Sequence, residues 1–212
     1  MDWLEALDQY CERTGPDFWS EPLNAVTNAA FIIAGLILWH RVGPRPLGRI
    51  MAAEVVVIGV GSFLFHTFAT RWAELADVLP ILIFILTYVF ASSRDYLGLR
   101  PGWALLTAAL YIPYSALTVP LFAMIPGLGS SVGYMPVPLL ILGYAWLVRH
   151  RAPATARGLV IGAGILALSL TFRTLDAPLC DTWPGGTHFV WHMLNGLMLG
   201  WMIEVWRRHV LR

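Results

Sequence analysis

Runs of about twenty apolar residues recur along this chain, the length a helix needs to cross roughly 30 Å of hydrocarbon. Seven can be placed between short breaks marked by Pro, Gly or polar residues. They are Leu23 to His40, Ile50 to Phe68, Glu74 to Ser92, Trp103 to Phe122, Val132 to Val148, Arg157 to Phe172 and Thr187 to Arg208. The fourth and fifth are the weakest, because Pro113, Pro120, Pro126, Pro136 and Pro138 would kink a helix or punctuate a loop. Composition agrees with a lipid environment: 58% of the 212 residues are hydrophobic and 13% are charged, against about 25% charge in a typical soluble globule. The expectation is an all-α integral membrane protein, a seven-transmembrane helix bundle. It forms a single domain over residues 1–212, with residues 1–22 as an acidic segment outside the membrane and residues 23–208 as the bundle.

Arginine sets the orientation, since basic residues accumulate on cytoplasmic loops. Every basic residue besides histidine is Arg. Arg41, Arg45 and Arg49 follow the first run, Arg94 and Arg100 the third, Arg149, Arg151 and Arg157 the fifth, and Arg207, Arg208 and Arg212 the last. The alternate loops carry only Arg13, Arg71 and Arg173, together with most of the acids, so the N-terminus is expected outside and the C-terminus in the cytoplasm. The segment Met1 to Glu21 lacks the basic start and apolar core of a cleavable signal and is expected to be retained. A formal net charge of +1 without a basic cluster excludes a nucleic-acid partner, and no obligatory protein partner is evident. The absence of Lys is associated with GC-rich bacterial genomes, which would place the chain in a bacterial inner membrane.

Ionisable side chains inside apolar spans cost several kcal/mol unless they face the bundle interior, so each is a functional candidate. His66 ends the second run, Asp77 begins the third, and His188 and His192 begin the seventh. With alternating topology, three distant pieces of sequence thus bring polar groups to one depth on one side. His188 and His192 are four apart, which puts both imidazoles on one helical face within reach of a single ion. His66 can be a third ligand, leaving the fourth tetrahedral position for water, the arrangement of catalytic zinc. The alternative is three packing or interfacial histidines bonded to carbonyls. Ser62 shares the face of His66 and could donate to whatever the metal holds; with Gly59 and Gly61 it equally suits close helix packing. Asp77 could exchange a proton with an activated water, or be a helix-start acid favoured by the dipole. Glu54 and Glu204, near inner ends, are read as paired with neighbouring arginines.

Several segments in order resemble the alkaline ceramidase family and, more loosely, the wider superfamily of seven-span hydrolases that includes the adiponectin receptors. They are Tyr10-Cys11-Glu12, Ser20 through Asn24 to Asn28, Gly61 through His66, Ala76-Asp77 to Pro80, Phe172 through Asp176 with Cys180, and His188 through Trp191-His192. The resemblance implies a membrane-embedded amidase that cleaves the N-acyl bond of ceramide, or a similar N-acylated lipid, to a sphingoid base and a fatty acid. It implies zinc held by His66, His188 and His192, Asp77 as proton carrier and Ser62 as oxyanion donor. It also implies calcium bound by the acidic N-terminal segment, where Asp8, Glu12, Asp17 and Glu21 offer the hard oxygens that calcium takes six to eight of. Gln9 and Thr14 stand where that pattern has Asp and Asn. Cys11 and Cys180, the only two cysteines, resemble a pair that is bridged in relatives, and both fall on the side where an oxidising compartment permits a disulfide. Two rival readings are another lipid hydrolase of that superfamily and a lipid-sensing receptor with a structural zinc site.

Overall fold

In the computed structural model, which describes residues 2–212, the chain is all-helical apart from a single β-bridge between Ala6 and Thr70. Eight α-helices follow in order: α1 (Pro22–Thr27), α2 (Ala29–Arg41), α3 (Pro46–Phe68), α4 (Arg71–Ala91), α5 (Pro101–Ala123), α6 (Pro136–Val148), α7 (Pro153–Leu179) and α8 (His188–Val210). A π-helical turn, Ser92–Tyr96, extends α4, and a 3-10 turn, Gly129–Tyr134, leads into α6. Five of the prolines mark helix starts rather than breaks. Pro22, Pro46, Pro101, Pro136 and Pro153 each open a helix, where the fixed φ suits the first turn and the missing N–H removes a donor that would have no partner. The fourth run, Trp103 to Phe122, is one helix as drawn, since α5 continues through Pro113 and Pro120. Apolar spans tolerate such residues where neighbouring groups take up the freed carbonyls.

The first run is split instead at Asn28, where α1 gives way to α2. Asn28 donates its side-chain amide to the Asn24 carbonyl at 2.8 Å, so the break lies beside buried side-chain amides rather than at a proline.

Six stretches are long and apolar enough to cross a membrane, the first of them α1 and α2 together. The remaining helix, α8, is as long as α3 or α5 but carries His188, His192, Glu204, Arg207 and Arg208. It can hold them because it packs on four helices, α7, α2, α1 and α3. Around it α3 packs on α2 and α4, α4 on α5, and α7 on α6. His188, His192, Asn195 and Glu204 of α8 are therefore buried within the protein. Glu204 takes Arg41, Arg207 and Arg208 as partners, as expected from the sequence. Glu54 does not meet an arginine: its carboxylate accepts from the Thr87 hydroxyl at 2.7 Å, since α4 rather than an arginine-bearing loop faces it.

The segment before α1 lies across the same end of the bundle as the histidines. Leu7 donates its N–H to the Ala69 carbonyl at 2.7 Å, and Arg71 donates to the Glu5 carbonyl at 3.2 Å. Cys11 and Cys180 are joined by a disulfide across 169 residues of sequence.

Candidate metal centre

His66 lies in the last turn of α3, while His188 and His192 lie in the first two turns of α8. Each is 1% exposed or less. Their ring centroids are 4.6 Å apart for His188 and His192, 4.7 Å for His66 and His192, and 5.2 Å for His66 and His188. One nitrogen on each ring has no hydrogen-bond partner: Nε2 of His66, Nδ1 of His188 and Nε2 of His192. Ligand atoms of the three residues lie within 4.8 Å of one another. A buried polar atom without a partner is costly and rare. Three imidazoles gathered this way are the donor set that zinc takes in a site with one open position. The residues present therefore fit the metal.

A neighbouring carboxylate selects the tautomer of His66. Glu21 accepts from His66 Nδ1 at 2.5 Å, and a carboxylate can only accept, so the ring proton sits on Nδ1 and the Nε2 lone pair is free. Burial pushes the Glu21 carboxyl above its ordinary value, with Asn24 and Arg13 acting in opposition. Thr27 places its hydroxyl 3.0 Å from His192 Nδ1. Tyr10 stacks on His188 with centroids 3.8 Å apart and lies 5.1 Å from His66, closing the site from the N-terminal segment. Burial holds the Tyr10 phenol above its usual value and so un-ionised.

Two further contacts fix α8. Asp176 accepts from the backbone N–H groups of Thr187 at 2.7 Å and His188 at 3.0 Å, and its other oxygen accepts from Cys11 N at 3.1 Å. Gly186, with φ of +62°, brings the chain against that carboxylate where a Cβ could not fit.

Ser62 and Asp77 meet because Gly61 lets α3 touch the backbone of α4. A Cβ on Gly61 would collide with the Ala76 carbonyl. The buried Ser62 hydroxyl then lies within reach of the half-buried Asp77 carboxylate. Arg173, on α7, is close enough to act on Asp77 electrostatically. It donates to the Tyr10 hydroxyl at 3.1 Å, and its guanidinium lies 5.1 to 5.7 Å from the rings of Tyr134, Trp191 and Tyr10. Reading Arg173 only as a loop arginine missed this aromatic cage; its position beside Phe172 in a matched segment was the available signal.

Below Trp191 and Tyr134 an interior cavity of about 70 Å³ has an almost wholly apolar lining that includes Phe84, Leu166 and Met198. A larger hollow of about 430 Å³ opens between α4 and α5 and reaches Arg173. Ile81, Ile85 and Tyr134 line both.

The four acids expected to hold calcium are not gathered. Among the described residues the three histidines form the one cluster of three or more possible ligand side chains. Glu12 accepts from the N–H groups of Leu23 at 2.7 Å and Asn24 at 2.8 Å, at the start of α1. Glu21 is engaged by Arg13, Asn24 and His66. Asp8 and Asp17 are exposed.

A helical integral membrane protein with a buried three-histidine centre is the class that this fold and site define. The family model described as Ceramidase matches residues 8–208, nearly the whole chain, and the chain belongs to that family as a ceramidase-like amide hydrolase. Among curated proteins, none matches the chain.

Proposed function

We propose that the chain hydrolyses the N-acyl bond of ceramide, or of a similar N-acylated lipid, at a zinc ion held by His66, His188 and His192. The observation that carries this reading is the convergence of three buried, unpartnered imidazole nitrogens in a chain of the Ceramidase family. Zinc held there supplies Lewis acidity toward water and toward the amide carbonyl. Asp77 is the proton carrier. It takes a proton from the attacking water and returns it to the sphingoid nitrogen as the C–N bond breaks. Ser62 donates to the carbonyl oxygen as that atom gains negative charge. The apolar lining shared by the two cavities receives hydrocarbon of the substrate.

The proposal includes seven crossings, an N-terminus outside and a cytoplasmic C-terminus. Counting α8 as the seventh is supported by its 23-residue length and its interior position. The alternation of arginine-rich loops supports the orientation. The disulfide and the backbone contacts of the N-terminal segment support one domain over residues 1–212.

Metal analysis of the purified protein, paired with a ceramide turnover assay, tests the reading. One zinc per chain is expected, lost together with turnover in His192→Ala. Asp77→Asn is expected to keep zinc while turnover falls by about 10²-fold or more, the usual scale of a lost proton carrier. Wild-type turnover in Asp77→Asn, or full activity in metal-free protein, would sink the proposal. A receptor with a structural zinc site predicts instead that Asp77→Ala retains a ligand response in a protein without turnover.

A further inference from the structure

A guanidinium is buried directly against His66 and its carboxylate partner. Arg13 is 9% exposed and comes from the segment before α1. Its Nε donates to Glu21 Oε1 at 2.5 Å, one terminal nitrogen donates to the Gly15 carbonyl at 3.0 Å, and the other donates to the His66 carbonyl at 3.0 Å. Glu21 uses its second oxygen for the His66 ring. The three residues therefore form a closed circuit in which one guanidinium holds His66 by its main chain directly and by its imidazole through a carboxylate.

Such an arrangement conflicts with a calcium ion at this place. Calcium takes six to eight oxygens. Here both oxygens of Glu12 are occupied by backbone N–H groups and both oxygens of Glu21 by Arg13, Asn24 and His66. A divalent ion brought to Glu21 would also sit beside a positive charge already buried there. The donor set that the family resemblance implied does not fit calcium in this chain.

We infer that Arg13 is a positioning residue that takes the place of a bound divalent cation, fastening the N-terminal segment to the carboxylate that orients His66, so that zinc binding and turnover need no calcium. The inference rests on the zinc amidase reading above. A guanidinium suits the task because its fixed fork reaches a carboxylate and two carbonyls in one geometry, which an ammonium cannot match.

The full-length protein, purified with zinc and passed into calcium-free buffer, is titrated with calcium chloride while zinc affinity, ceramide kinetics and the thermal midpoint are followed. For the wild type we expect no stoichiometric calcium and a change in turnover of less than about twofold. In Arg13→Ala zinc affinity is expected to fall about 10- to 100-fold, the range found when partners of metal ligands are removed. Turnover of that variant should recover as free zinc is raised, which a merely structural defect would not produce. Arg13→Lys keeps the charge without the fork and should lie between the two. Mass mapping of the Cys11–Cys180 bridge and monodisperse elution control for misfolding. Wild-type zinc affinity in either variant overturns the inference, as does turnover of the wild type that requires calcium. If the wild type binds zinc but leaves ceramide intact, the substrate reading alone fails, and zinc affinity still decides the role of Arg13.

Discussion

At the scale of single residues, the state of an imidazole follows from what its other nitrogen meets. Glu21 is the strongest case, because it fixes the proton of His66 on Nδ1 and leaves Nε2 toward the centre. Glu21→Ala should therefore lower zinc affinity about 10- to 100-fold, and Glu21→Gln by less, since an amide oxygen still accepts. Competition with a zinc chelator measures both, and equal affinities in all three proteins would refute the assignment. The histidines were legible in the sequence because four-residue spacing on a helix and a shared depth are local, countable patterns. Glu21 and Arg13 were not. An acid and an arginine in a segment expected to be solvated carry no local mark of burial, and only the fold brings them against His66. Arg173 was hidden differently, because an arginine near a span end reads as a topology signal until Tyr134 and Trp191 are seen around it.

Among the elements, the approach of α3 to α4 matters most to the chemistry. Gly61 is the contact that permits it, and its neighbour Ser62 is thereby set against Asp77. Gly61→Ala must push the helices apart, a strain of about 1–3 kcal/mol by analogy with overpacked cores. The expected result is a lowered thermal midpoint and a marked loss of turnover with zinc retained, because the three histidines belong to α3 and α8. Undiminished kcat would show that the spacing of Ser62 and Asp77 does not limit the reaction. Helices were legible as apolar runs, and six of the seven expected runs meet the length and hydropathy of a span. α8 was found despite its polar residues, since most of Thr187 to Arg208 is apolar around them. The division at Asn28 was not legible, because nothing in Asn24 to Ala30 announces a helix end as Pro or Gly would. Pro113 and Pro120 lie inside the expected fourth run, and α5 continues through both.

For the molecule as a whole, function depends on holding an acidic N-terminal segment against a bundle it is not part of. The bridge between Cys11 and Cys180, the Asp176 contacts to Cys11 and α8, and the capping of α1 by Glu12 all act at this junction. The two outlying carboxylates respond to pH with opposite signs. Glu5 is held below its usual value by Arg71, so its contribution is present above about pH 4.5 and is lost as pH falls through the lowered value. Glu12 is raised, chiefly by burial and despite the N–H groups of Asn24 and Leu23. Between its ordinary and its raised value the docked state binds more protons than the undocked one, so docking weakens as pH rises through that window and is flat above it. Glu12→Gln removes this titration. The stability of the wild type minus that of the variant, followed as thermal midpoints in detergent, should fall as pH rises from about 4.5 and level off toward neutrality. A pH-independent difference would show that the Glu12 carboxyl titrates alike in the docked and undocked segment, and that burial at the start of α1 does not govern how the N-terminus is held.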